Sequence, residues 1–533
     1  MATPTIQPQM NESAEEQDRT YARDKEVLSL NEPTGPDENK YPSALNLTII
    51  VVACFLAIFL TALDQTIVST AIPRITDQFG SVNDVGWYGS AYFMTSTALQ
   101  PAYGRVYKVL DVKWSFLAAI FVFELGSLLC AVAPNSSTFV AGRAVAGTGV
   151  GGIFSGTLVV LSLTVPLQRR PTIFGLFGLV WGLASVVGPL LGGAFTDKVT
   201  WRWCFYINLP VGAVSVALII GILHLPKGPA PKKSIPQKIG DLDLFGAVLL
   251  LPAIVCLLLA LQWGGSQYAW NNSKVIGLLI GFGLITITFV VFQIWQGEKA
   301  TLPPRIMKMR TCISLSCFSL GFGGGYYLVV YYLPIYFQSV KSTSAVQSGI
   351  DLLPLLIAQS VGSVALGFIV SAVGYYTPFL IGSTAIFSVG AGLITMFATN
   401  TPTGKWIGYQ IVAGLGVGAG FQIPMTAMQT ALSQEDIPIG SALVIFFQAL
   451  GGALFISVGQ AVFQNQISNY ILQHAPGIEP AYIFPCWSSD LPVIVDAYMN
   501  GLTAIFRVVL GLVLFAFVSA LPLEWRSVKQ VPR

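Results

Sequence analysis

Val145-Ala146-Gly147-Thr148-Gly149-Val150-Gly151-Gly152-Ile153-Phe154 recurs further along the chain as Val412-Ala413-Gly414-Leu415-Gly416-Val417-Gly418-Ala419-Gly420-Phe421, with seven of ten positions identical. Each copy lies inside an apolar run of about 20 residues, the length a helix needs to cross a bilayer. Glycines at such a spacing strip one side of a helix to its backbone, so that neighbouring helices approach closely. Two copies imply a duplicated helical unit, the organisation of carriers that alternate access around a site between their halves.

Composition agrees. Over 533 residues the chain is 54% hydrophobic and 10% charged, with mean hydropathy +0.68, against roughly 25% charged residues in a soluble domain. The apolar runs do not alternate, which favours helices over a barrel. The formal net charge of +3 is dispersed among loops and gives no nucleic-acid face. Six of the seven cysteines (Cys54, Cys130, Cys204, Cys256, Cys312 and Cys317) fall in hydrophobic runs, against a disulfide framework, and Cys486 stands alone in a loop.

Hydrophobic spans are expected near 47–72, 85–103, 114–133, 139–164, 172–196, 204–224, 243–263, 274–296, 311–333, 347–373, 378–398, 404–428, 438–463 and 502–521. The fold class is therefore an all-α polytopic membrane protein of fourteen helices, two homologous six-helix bundles with two helices inserted between them. Residues 1–43 read as a disordered tail, 44–224 as the first bundle, 225–310 as basic loops with the inserted pair, 311–525 as the second bundle with an external loop at 464–501, and 526–533 as a second tail. The first span should act as signal anchor. An even number of spans puts both termini on one face. Arg169, Arg170, Lys232, Lys233, Lys238, Arg305, Lys308 and Arg310 make that face the cytoplasmic one. Asn271-Asn272-Ser273 is a glycosylation sequon in a short outer loop close to the membrane.

Few charges interrupt the spans. Arg143 stands just before the first glycine repeat, where Gln410 stands before the second. A buried arginine costs about 2.5–3.5 kcal/mol on insertion scales and needs a partner, for which Asp64 in the first span lies at a reachable depth. A carboxylate beside a fixed cation is ionised, and rearrangement that separates the two lets it take up a proton. The competing reading is a permanent brace between helices 1 and 4. Glu124 is the other acid in mid-span and reads as a hydrogen-bonded structural group. Asp351 and Arg507 sit near span ends, and neither His224 nor His474 is placed to relay protons.

The fifth span holds Gly188-Pro189-Leu190-Leu191-Gly192-Gly193, a flexible joint inside a bundle. Gly175 through Ala184 to Gly188-Pro189 and Gly192-Gly193 resembles the antiporter signature of drug:proton exchangers of the major facilitator superfamily, with Ala184 in place of a glycine. Leu63-Asp64-Gln65-Thr66-Ile67-Val68 with Ala71-Ile72-Pro73 resembles the first-helix motif of those exchangers. Arg143 with Gly147, Gly149 and Gly152 resembles the fourth-helix motif, whose arginine is associated with proton transfer. Trp201-Arg202-Trp203 with Phe205-Asn208-Leu209-Pro210 is similar to the sixth-helix entry of the fourteen-span branch. The resemblance covers about residues 45–525. It departs after helix 2, where Gly104 is kept but Lys108 and Asp111 stand in place of the gating aspartate and the following glycine. Asp111 with Arg105 or Lys108 is the candidate substitute.

The resemblance implies a monomeric, proton-coupled exporter of hydrophobic or amphipathic small molecules, of the fungal toxin and metabolite efflux type, in the plasma membrane or the vacuolar membrane. It further implies a cavity on helices 1, 4, 9 and 12, with Phe322, Tyr326, Tyr327 and Tyr331 (beside Tyr332) on helix 9 and Gln410, Phe421 and Gln422 on helix 12. A siderophore or nutrient symporter on the same scaffold is the alternative, and the glycine-proline signature speaks against it. The chain has no phosphate-binding Gly-x-x-x-x-Gly-Lys-Ser/Thr loop, metal cluster or catalytic domain. An enzyme, a metal or another cofactor is therefore not expected; the partners are a small-molecule substrate, protons and the lipid bilayer.

Overall fold

The computed structural model describes residues 41–81, 84–223, 235–265, 268–474 and 492–529. Most of the expected first tail, Cys486, His224 and the Lys232-Lys233 pair lie outside them. The long helices are α1 (Ala44–Phe79), α2 (Val85–Val109), α3 (Val112–Val132), α4 (Ser136–Thr164), α5 (Arg170–Lys198) and α6 (Trp203–Ile222). The inserted pair is α7 (Leu244–Trp263) and α8 (Ser273–Gln296), and the second bundle is α9 (Arg310–Ile335), α10 (Leu353–Val373), α11 (Thr377–Ile394), α12 (Thr403–Ala431), α13 (Ile437–His474) and α14 (Pro492–Ala520). Thirteen are long and apolar enough to cross a membrane. The remaining one, α2, is as long but carries Thr95, Ser96, Thr97 and Gln100; Thr97 and Gln100 are buried, since α2 packs among α4, α7 and α13.

Two expected boundaries are corrected. The first span was to end at 72, before Pro73, yet α1 runs through that proline to Phe79. Phe79 packs edge-on against Trp201 and tilted on Phe139, which offsets the one backbone bond that Pro73 cannot make. Both ends of the external loop expected at 464–501 are helical instead, since α13 extends to His474 and α14 starts at Pro492; residues 475–491 of that loop lie outside the described ones. Ile467, Ile471 and Ala497 are buried there, so both helices continue because an apolar stripe continues.

The repeat is physical. Gly147 abuts the carbonyl of Tyr92 as Gly414 abuts that of Leu355, and Gly149 meets the amide of Phe123 as Gly416 meets that of Phe387. In return Gly126 meets the amide of Ala146, as Gly390 meets that of Ala413. A Cβ at any of these glycines would overlap fixed backbone atoms, so both copies need glycine for one reason: α2–α3–α4 and α10–α11–α12 are the same packed unit.

The inserted helices flank the bundle. α7 packs on α2 and α13, whereas α8 packs chiefly on α7 and leaves Ile280, Leu284, Ile287, Val291 and Trp295 exposed as a lipid-facing side. Asp243, in the left-handed region at φ 46°, caps α7 at the amide of Gly246 and accepts from Gln293 of α8 and the Thr301 amide. This one carboxylate hooks the pair to the start of the second bundle.

Candidate functional site

Asp64 and Arg143 are both fully buried, and Arg143 Nη1 donates to Asp64 Oδ2 at 2.5 Å. Burying two charges is tolerable only if their remaining bonding capacity is used. Arg143 Nε donates to the Tyr88 carbonyl at 2.9 Å, and its guanidinium lies 4.3 Å from the centre of the Tyr92 ring. Asn208 of α6 donates from Nδ2 to Asp64 Oδ1 at 3.3 Å and to Ser127 Oγ of α3 at 3.0 Å. Tyr88 itself is anchored through its hydroxyl to Ser81 and Ser136. The ion pair expected from sequence is thus formed, and it joins α1, α2, α3, α4 and α6.

Pseudo-symmetry separates what is structural in this cluster from what is not. Gln410, the counterpart of Arg143, donates from Nε2 to the carbonyl of Asp351 at 2.9 Å, at the position matching Tyr88. The bond to a neighbouring helix's backbone is therefore common to both halves, and the charged bond to a carboxylate belongs to the first alone. Asn208 and Ser127 were not foreseen as site residues; a polar side chain in an otherwise apolar α6 was the available signal.

The glycines of α5 touch two different helices. Near the pair, Gly188 lies against Thr66 and Ile67 of α1 and Gly192 against Ile67 and Thr70, while Thr66 Oγ1 donates to the carbonyl of Ala184 at 3.1 Å. Gly193 has nothing within 4 Å of where a Cβ would be. Toward the other end, Gly175 and Gly178 press on Ser363 of α10; Ser363 donates to the Gly175 carbonyl at 3.0 Å and Ser360 to that of Gly178 at 3.2 Å. α5 is continuous through Pro189, so one helix packs both on the helix bearing Asp64 and on α10 of the second bundle.

Hydrogen bonds between the halves gather at the end where α5 begins. Thr172 meets Ser371 at 2.8 Å, Arg170 donates to Gln429 Oε1 at 3.1 Å, and Lys108 Nζ meets Asp436 Oδ1 at 2.7 Å. Arg305 Nη2 lies 2.7 Å from the other oxygen of Asp436. This corrects the expected substitute for the gating aspartate: Asp111 instead caps α3 at the Trp114 amide, and Arg105 donates to the carbonyls of Asp241 and Glu298. The acid comes from the second half and the cation from the first. Burial alone would raise the Asp436 carboxyl, yet hydrogen bonds from Lys108 and Arg305 hold it below the ordinary carboxylate range. A depressed carboxylate contributes stability above its unfolded pKa and loses it only as pH falls through the folded value, so the latch stays charged across the physiological range. Asp436→Asn should weaken closure by about 1 kcal/mol, a roughly fivefold gain in the open population. Spin labels on the exposed Arg169 and Glu435 would read this as a wider distance distribution; an unchanged distribution would show that the latch carries no closing energy.

The aromatic candidates divide. Phe322 is fully buried, between Phe318, Phe387 and Phe421. Tyr326 and Tyr327 are half-buried with ring centres 4.7 and 6.3 Å from Phe421. Tyr331 is 52% exposed, Gln410 is buried, and Gln422 is half-buried beside Ser363 and Pro171. Asn271 is exposed one residue before Asn272, whose side chain caps α8.

The family profile of the Major Facilitator Superfamily matches residues 54–456. The chain is 45% identical over 497 residues to the MFS-type efflux pump MFS1 of Arthroderma benhamiae, covering 91% of this chain and 93% of that protein. It is 44% identical over 503 residues to the rubrofusarin-specific efflux pump aurT of Gibberella zeae, covering 92% of each. Among solved structures, that of the human organic anion transporter MFSD10 superposes with a TM-score of 0.59 at 14% identity, over 89% of this chain and 99% of that one.

Proposed function

This chain belongs to the Major Facilitator Superfamily, and from that premise we propose that it exports a hydrophobic or amphipathic small molecule, of the fungal secondary-metabolite or toxin kind, in exchange for protons. The efflux assignment rests on the relatives, which match along nearly the whole length and are efflux pumps. The coupling assignment rests on the Asp64–Arg143 pair, present in one half only. Asp64 is the proton acceptor; Arg143 keeps it ionised until rearrangement separates them.

The end that carries Lys108, Arg170 and Asp436 faces the cytoplasm in this reading, as do both termini, and the membrane is the plasma membrane. The described conformation is then closed inward. Tyr326, Tyr327, Tyr331 and Gln422 offer aromatic and amide surface to the substrate, while Phe322 and Gln410 stand behind it as supports. Of the motif on α5, Gly175 sets the fit against the second half, while Ala184, Gly188 and Gly192, around Pro189, set the fit against the helix that bears Asp64; Gly193 completes the motif without a packing role. Asn271 is the glycosylation candidate on the outer face.

One proton entering down about 100 mV and one pH unit supplies roughly 2.3 plus 1.4 kcal/mol, enough for a gradient of several hundred-fold in a neutral substrate. Inside-out vesicles with an acid interior should therefore accumulate the compound that a deletion strain retains. No accumulation under the gradient overturns proton exchange, and a deletion strain that retains nothing overturns export.

A further inference from the structure

Glu124 lies one helical turn from Ser127 on α3, facing α6, where its carboxyl fills the space left by the missing side chain of Gly212. Gly212 in turn lies one turn from Asn208. Both carboxyl oxygens of Glu124 are shielded, and neither meets a donor among the described residues. The amide oxygen of Asn208 likewise has no donor, although its nitrogen binds Asp64 and Ser127. The corresponding position of the second half, placed by the matched pairs Phe123 with Phe387 and Gly126 with Gly390, is Ser388, whose hydroxyl closes on Thr384 within its own helix. A plain structural plug would need no carboxyl there.

An ionised carboxylate without donors in a membrane bundle is expensive, whereas the neutral acid is both cheaper and a donor complementary to the Asn208 oxygen. The charged groups nearest it are Asp64 on α1 and Arg143 on α4, and α6 presents the Asn208 amide; Arg74 and Asp77 of α1 and Lys113 of α3 lie about three turns or more further along their helices. One cation, two carboxyls and one proton leave the cluster neutral. It stays neutral if the O–H bond of Glu124 breaks and one forms on Asp64, freeing Arg143 from its partner.

We infer that Glu124 is a second proton-binding carboxyl of the transport cycle, protonated in this conformation and sharing its proton with Asp64 beside Asn208. The inference rests on the proton-coupled reading of Asp64 and Arg143. Infrared difference spectra of the full chain in lipid vesicles, wild type against Glu124→Gln at neutral pH, test it without substrate or gradient. Expected is the loss of one protonated-carboxyl band; loss of a carboxylate band instead overturns the inference. In Asp64→Asn, which removes an anion and leaves Arg143 unbalanced, Glu124 should hold its proton about tenfold more weakly. An unmoved titration overturns the sharing. These measurements can fail while proton-driven export by the wild type stands, so the two readings fall separately.

Discussion

Asp64→Asn lowers the gradient-driven accumulation ratio in acid-filled inside-out vesicles from several hundred-fold to about one, the value for a carrier that only equilibrates its substrate. The side chain keeps its size and an oxygen to accept from Arg143, so the hydrogen bonds of the five-helix cluster persist, although Arg143 is left without its anion. The substituted side chain loses the ability to bind and release a proton. Exchange of labelled for unlabelled compound at equal concentrations needs no net proton movement and should continue. Arg143→Gln provides the companion measurement, since the second half already shows what glutamine does there: Gln410 reaches the Asp351 carbonyl. A glutamine at 143 should reach the Tyr88 carbonyl in the same way, preserving the bond between α2 and α4 while leaving Asp64 without its cation. Removing one partner of a buried pair costs about 3–5 kcal/mol when the other charge stays put, so Asp64 should bind a proton and remain locked. Accumulation by either variant at the wild-type level would reduce the pair to a brace between α1 and α4.

The cluster shows where a sequence is legible. Asp64 and Arg143 announce themselves because charge in an apolar span is rare and must be matched, and two helices offer one anion and one cation at depths that long side chains can bridge. The repeat was legible because close backbone approach leaves no substitute for Gly147, Gly149, Gly414 and Gly416. Asn208 and Ser127 carried weaker signals: neutral polar side chains satisfy themselves within a helix or across one, and only geometry tells which. Asp436 was invisible because its partners, Lys108 and Arg305, both lie far upstream in sequence, and a loop acid before a helix reads first as a cap. The helix ends at Phe79 and His474 were missed for a related reason: apolar contacts with Trp201 and with α14 decide them, not local turn chemistry.

Gly188→Val abolishes export while Gly193→Val leaves it normal, although the two glycines stand five residues apart in one motif. A Cβ at 188 would collide with the Thr66 hydroxyl, lie 2.8 Å from Thr66 Cβ and lie 3.1 Å from the Ile67 nitrogen, whereas one at 193 meets nothing within 4 Å. Thr66 is two residues from Asp64, so the displaced stretch of α1 carries the coupling carboxyl with it. Overpacking of this kind costs about 1–3 kcal/mol. That is small beside the packing of fourteen helices, so surface expression should persist, but each 1.4 kcal/mol is about a tenfold bias in a two-state cycle. Gly192→Val should fail as well, with a further obstacle: its Cβ would meet the Thr70 hydroxyl and also the Ile67 carbonyl at 2.7 Å, and no side-chain change removes the latter. Thr66→Gly, which clears the hydroxyl and the Cβ, should then restore part of the export of Gly188→Val and none of that of Gly192→Val, measured as efflux normalised to surface expression. Equal activity of the 188 and 193 variants would make the seam between α5 and α1 ordinary packing rather than the setting of the coupling helix.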